Sequence, residues 1–129
     1  MEPEIPMPHC ILDVSDNLLD SPDWQDLLGA IHRTLVGTGL FSEADIKSRV
    51  IRHATFRVAD GAPDRAFVTL EVRILEGRPD EVKARISEAL LPILAGAFPR
   101  SAAAMRLNIT VQISDLHRLS YRRHPSQPG

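Results

Sequence analysis

Two short stretches carry the residue types most suited to chemistry. One is Met7-Pro8-His9-Cys10, a proline immediately ahead of an apolar run; the other is Leu75-Glu76-Gly77-Arg78-Pro79-Asp80, an arginine at a strand-to-helix turn. Each also has an ordinary reading. Proline is tolerated as the first residue of a strand. A glycine turn followed by an N1 proline and early acids is a common way to enter a helix, with the arginine solvated. Metal chemistry would need clustered ligands, but His9, His32, His53, His117 and His124 show no ligand spacing, so no metal is assigned. Cys10, beside the apolar run, reads as a small buried hydrophobe. No phosphate loop, dinucleotide fingerprint or serine nucleophile elbow is present.

The elements that must position these residues are legible from periodicity. Strict alternation over 66–75 and again over 106–113 marks strands with one covered face. A shorter apolar run at 9–14 and a weaker β-branched stretch at 49–58 read as two more, with Asp60-Gly61 as turn chemistry between the second and third. Ser21 as N-cap and Pro22 as N1 introduce a helix whose stripe is Trp24, Leu27, Leu28, Ile31 and Leu35, stopped by Gly37 and Gly39. A second helix runs over 79–96, and Pro92 inside it predicts a kink or a shortening. The order is β-α-β-β-α-β. Pro22-Asp23, Gly39, Phe41 and Arg49 recur 57 positions later as Pro79-Asp80, Gly96, Phe98 and Arg106, which suggests two halves of one kind. The same order also describes a ferredoxin-like domain.

Composition narrows the class. With 129 residues, 43% apolar and 25% charged, the chain is expected to form one domain with a real core. A net charge of -2 removes the electrostatic warrant for nucleic-acid binding. One cysteine excludes an internal disulfide framework and fits a reducing compartment. Acids in the first twenty residues argue against a signal peptide, and the apolar run 89–98 is too short to span a bilayer. A cytoplasmic protein with no membrane partner is expected, organised as an extension over 1–7, a domain over 8–121 and a tail over 122–129. The tail has no apolar residue to anchor it.

Ordered markers carry more information than any single motif. Met7-Pro8-His9, Ser15-Asp16-Asn17, Thr38-Gly39 with Phe41, Ser48-Arg49-Val50, Ala59-Asp60-Gly61, Ala66-Phe67-Val68, Gly77-Arg78 and Leu116-His117 follow one another without obvious gaps. In these the chain resembles the 5-carboxymethyl-2-hydroxymuconate isomerase family of the tautomerase superfamily. Leu75-Glu76-Gly77-Arg78 is also similar to the strand-to-helix turn of 4-oxalocrotonate tautomerase, where the arginine binds a substrate carboxylate. The resemblance implies an α/β (α+β) fold of two joined β-α-β halves, with a four-stranded sheet carrying two helices on one face. It implies a homotrimer, no cofactor, and a small anionic unsaturated acid as substrate. The activity implied is proton transfer along a conjugated dienol acid in homoprotocatechuate (aromatic compound) catabolism, with an amino-terminal proline as base.

Transferred to this sequence, those roles have a physical basis. An α-amine of pKa about 8 is depressed by a low-dielectric, cationic pocket, so a terminal Pro8 would be largely unprotonated. Arg78 is the first choice for a carboxylate clamp, because guanidinium pairs bidentately with carboxylates. Arg49 or Lys47 would supply a second charge, with Arg49 ranked higher. The relatives carry arginine where Lys47 stands, and lysine keeps the charge but loses the fork. Six residues precede Met7. A chain starting at Met1 keeps Pro8 as a tertiary amide with no basic lone pair, whereas a start at Met7 exposes the amine after methionine removal. Without Pro8, a base would have to be reached from Asp13 or His53. Two non-enzymatic readings stand beside this one: an assembly protein with a blocked proline, and a ferredoxin-like small-molecule-binding module.

Overall fold

The structure, a computed structural model, describes residues 7–126 and Pro128. The expected extended segment 1–6 lies outside the described residues. Four strands form the sheet: β1 (His9–Ser15), β2 (Lys47–His53), β3 (Arg65–Leu75) and β4 (Arg106–Leu116). Their order is β2-β1-β3-β4, with β1/β2 and β3/β4 parallel and the central β1/β3 pair antiparallel. Each parallel pair is bridged by helices, α1 (Trp24–Gly37) in the first half and α2 (Asp80–Ala97) followed by α3 (Pro99–Ala104) in the second. Because β1 and β2 pair directly, no strand splits the first unit. That rules out the ferredoxin-like alternative, in which the β-α-β unit is split.

The sheet buries one face under the helices. Cys10, Leu12 and Val14 of β1 and Val68, Leu70, Val72 and Ile74 of β3 meet Leu27, Ile31 and Leu35 of α1 and Val82, Ile86, Leu90 and Leu94 of α2 in one cluster. The i, i+4 spacing of the helical members is what a single buried stripe requires. Residues in the opposite phase of the strands line a helix-free face rich in polar groups.

Several expectations need correction. Among the described residues there are three α-helices, not two: α3 has no apolar stripe of its own, and its first N–H groups are capped by Asp20, whose carboxylate accepts from Arg100 N and Ser101 N at 3.1 and 2.7 Å. The N-cap of α1 is Asp23 rather than Ser21, with its side chain accepting from Asp26 N at 3.0 Å. α2 is not shortened at Pro92 but continues to Ala97. Pro92 and Glu88 lie on the exposed side, where water can satisfy the Glu88 carbonyl that Pro92 leaves unbonded. β2 ends at His53 instead of 58 because its one partner, β1, ends at Ser15, directly opposite. β4 runs on to Leu116 because β3 continues alongside it to Leu75.

The two halves are alike in kind, but the offset of 57 is not kept. It would carry Cys10, which faces the helices, onto Phe67 in the opposite phase of β3, and buried Leu27 onto exposed Ala84. No helix of the described residues is long and apolar enough to cross a membrane.

One backbone position is set by a single residue. Gly77, between β3 and α2, has φ 113°, a region L side chains rarely adopt. Gly77→Ala should therefore cost about 1–3 kcal/mol in a urea titration. An unchanged midpoint would show that the turn relaxes without strain.

Candidate active site

The antiparallel central pair brings the start of β1 and the end of β3 to one end of the sheet, where β2 also begins and β4 ends. Pro8 is buried there, and its carbonyl accepts from Lys47 N at 3.1 Å. His9 pairs in register with Lys47 on one side and Arg73 on the other, so their side chains stand abreast on the helix-free face. Arg49 lies on the same face one rank further in, opposite Ile11, and Ile11 in turn faces Glu71.

Cations gather around His9. Burial first, then the cations Arg49, Lys47 and Arg73, pull the His9 imidazole below its ordinary range and hold it neutral. Among the acids at this end is Glu71, which accepts from Arg73 Nε at 3.1 Å and from Ser114 Oγ at 2.8 Å. The Ser114 hydrogen bond and Arg73 keep its carboxyl low despite partial burial. This arrangement favours anions and disfavours protonation of any amine beside it.

Arg78 occupies the turn leaving β3 at the same end, half-buried. Its turn is clasped to the exit of β4. Glu76 N donates to Leu116 O at 3.0 Å, Arg118 N donates to Glu76 Oε1 at 3.0 Å, and Arg118 Nη2 donates to Glu76 O at 2.8 Å. Pro8, Lys47 and the Arg78 turn thus lie at the same end of the sheet, on three different elements. Of the two cations, Lys47 bonds through its backbone to Pro8 and lines the cavity beside His9, whereas Arg49 stands one rank further along β2. Arg49's repeat counterpart, Arg106, sits at the far end of the sheet, held by Asp64 at 2.6 and 2.9 Å.

Sequence reasoning did not single out His9 and Arg73, which stand at the same end of the sheet as Pro8. Both fall in the polar phase of their strands, but only the register makes them neighbours of Pro8. It also missed the tail. Tyr121–Ser126 lies against His9, Ala44 and Lys47 around a cavity of about 540 Å³, and Arg123 Nη2 approaches Asp45 Oδ1 at 3.7 Å. Met7 is 2% exposed yet stands outside the main core cluster. Asp13 and His53 bond to each other at 2.6 Å further along β1 and β2. Five residues separate Asp13 from Pro8, about 16 Å of strand. Among the described residues, no three His, Cys, Asp or Glu side chains converge as a metal site would need.

The neutral state of His9 has a measurable consequence. Because its pKa is lowered on folding, the unfolded chain binds the proton more readily. Stability is therefore full above about pH 6.5 and falls as pH drops from there through the folded pKa. His32, also pulled down by burial and only partly offset by Glu43, adds in the same direction. His9→Asn should flatten the acid-side slope of the unfolding free energy. An unaltered slope would mean that neither burial nor the cations around His9 shift its titration on folding.

Known proteins place this geometry in context. The family model for 5-carboxymethyl-2-hydroxymuconate isomerase matches residues 8–127. A 5-carboxymethyl-2-hydroxymuconate Delta-isomerase of Escherichia coli is 33% identical over 111 residues, 86% of this chain and 88% of the relative. The crystal structure of a 5-carboxymethyl-2-hydroxymuconate isomerase from Deinococcus radiodurans R1 superposes with TM-score 0.86 at 29% identity, covering 95% of this chain and 92% of the other. A wild-type fused 4-OT symmetric trimer shares the fold at TM-score 0.67 and 16% identity, over 85% of this chain and 86% of that one. The match begins at Pro8, the residue that opens the sheet, and extends through the tail that lies against His9. The chain belongs to the 5-carboxymethyl-2-hydroxymuconate isomerase family and is an isomerase of the tautomerase superfamily.

Proposed function

We propose that this isomerase moves a proton along an unsaturated 2-hydroxy or 2-oxo polycarboxylate of the 5-carboxymethyl-2-hydroxymuconate type, with Pro8 as an amino-terminal base. The reaction would serve homoprotocatechuate breakdown in the cytoplasm. The observation that carries the reading is the position of Pro8, buried at the start of β1 beside His9, whose imidazole is pulled down by burial first and then by Arg49, Lys47 and Arg73. The same environment holds a secondary amine unprotonated near neutral pH.

The chemistry follows from those charges. The Pro8 nitrogen takes the enol hydroxyl proton, and the oxygen's electron pair becomes the carbonyl as the conjugated double bonds shift. The proton is then delivered to the carbon at the far end of the conjugated system. Substrate and product are isomers, so nothing else is consumed. Negative charge gathers on the enol oxygen and on the carboxylates throughout, and fixed cations stabilise both. Lys47, beside Pro8, acts as a point charge, and Arg78 grips a carboxylate bidentately. Arg49, one rank away, adds field rather than contact. Three such chains would assemble as a homotrimer, whose interfaces protect the edge strands β2 and β4.

Residues 1–7 act in this scheme as an extension that must be absent. Met7 attached to Pro8 makes the nitrogen an amide, and its own side chain is almost wholly buried. That burial also favours the second reading: a chain that keeps residues 1–7 is a tautomerase fold without a base, retained for assembly.

Two chains, one starting at Met1 and one at Met7, separate the two. After intact mass confirms a retained extension in the first and a free Pro8 in the second, dienol turnover is followed by ultraviolet absorbance. Activity should be confined to the second, with a loss of about 10²–10⁴-fold when the base is blocked. A verified Met1-bearing chain of equal activity would remove Pro8 from the mechanism. Within the Pro8-start chain, Arg78→Ala should lower kcat/KM by about 10²-fold or more. Lys47→Ala should cost more than Arg49→Ala, and Lys47→Arg should retain activity. Full efficiency of Arg78→Ala on an anionic substrate would show that its guanidinium grips no carboxylate.

A further inference from the structure

The carboxyl-terminal segment brings charge to the cavity beside Pro8 that the proposed proton transfer does not use. β4 leaves the sheet into the turn Arg118–Ser120, which the Arg118–Glu76 clasp holds against the Arg78 turn. From there Tyr121–Ser126 runs back over the start of β1 and β2 and closes one side of the 540 Å³ cavity. That volume lies in the range of small-molecule sites.

Three permanent cations line it, Lys47, Arg122 and Arg123, together with the imidazoles of His9 and His124. The acid beside them is Asp45, and it works as a scaffold. Its carboxylate lies 3.7 Å from Arg123 Nη2, and its carbonyl accepts from Lys47 Nζ at 3.4 Å. Arg122 Nη1 donates to the carbonyls of Leu119 and Tyr121 at 2.7 and 3.0 Å, neutral acceptors that orient the guanidinium and leave its charge uncompensated. Positive charge therefore exceeds negative in a space that opens on the residue next to the base.

Given the isomerase chemistry proposed above, on which this step rests, we infer that Arg122 and Arg123 form a second carboxylate subsite with Lys47 and His9. It receives a carboxylate beyond the one Arg78 grips and makes the enzyme select a tricarboxylate over a dicarboxylate. Lys47 stands between the two regions as a shared point charge. The planar forks that lysine cannot offer come here from the tail. An anion seated in this space also opposes the cations acting on His9, so its imidazole pKa should rise on binding.

The double variant R122A/R123A tests this, since both side chains are exposed and their loss removes no core contact. In the Pro8-start chain, kcat/KM is measured for 2-hydroxymuconate and for its 5-carboxymethyl derivative. The tricarboxylate-to-dicarboxylate ratio should fall at least tenfold, mostly through KM, and R122K/R123K should recover part of it. Separately, the His9 ring is titrated by NMR in the presence of propane-1,2,3-tricarboxylate. Its pKa should rise in the parent chain and rise less in R122A/R123A. A ratio that does not change, or equal His9 responses in both chains, overturns the inference. If the parent turns over neither dienol while His9 still responds through the arginines, the anion subsite stands and the proposed reaction falls. A response to inorganic phosphate as strong as to the tricarboxylate would identify a general anion site and overturn the assignment to substrate.

Discussion

The antiparallel ladder between β1 and β3, from His9 opposite Arg73 to Val14 opposite Val68, determines where every other part of the molecule lies. Each half is a pair of parallel strands bridged by helices, and such a unit by itself leaves too much apolar surface exposed. Joining the halves through their first strands merges two covered faces into one, and α1 and α2 then pack side by side over a continuous core. The antiparallel sense has a second effect. It sets the beginning of one half against the end of the other, so Pro8 and the turn holding Arg78, seventy residues apart in sequence, come to one end of the sheet.

The two ends of the sheet are related in architecture and opposite in electrostatics. At the far end, arginines are neutralised by neighbouring acids. Asp64 holds Arg106, and Arg65 with the Ala62 amide pulls the Asp60 carboxyl down to about 2. At the near end, Lys47, Arg49 and Arg73 stand around His9, and burial first and then these cations pull its imidazole down. The side chains around His9, rather than the backbone architecture, thus distinguish the two ends. Internal repetition built two ends of one kind, and a handful of side chains made them chemically different.

Burial adds a further asymmetry. Cys10 lies one residue from His9 but points under the helices, where burial pushes its thiol up to about 12 and leaves it inert. His9, on the other face of the same strand, is within reach of the cations. A step of one residue along β1 separates core from site, as the two-residue period of a strand demands.

What the sequence determined by itself was everything governed by local periodicity and backbone chemistry. Alternation marked 66–75 and 106–113 as strands, the i, i+4 stripe through Leu27, Ile31 and Leu35 marked a helix, and Gly77-Arg78-Pro79 marked the turn, because these signals depend on neighbours within a few residues. Ordered markers from Pro8 onward identified the family for the same reason: they survive as short local words. Strand ends were not local. β2 stops at His53 because β1 stops opposite it, and β4 extends because β3 does, so each end is set by a partner far away in sequence. α3 was hidden because its cap, Asp20, comes from another loop. The placing of His9, Arg73 and the tail at the same end of the sheet as Pro8, with Lys47 nearer to it than Arg49, was decided by register and chain path alone. Electrostatic neighbours act through space, and only the tertiary structure converts residue number into distance.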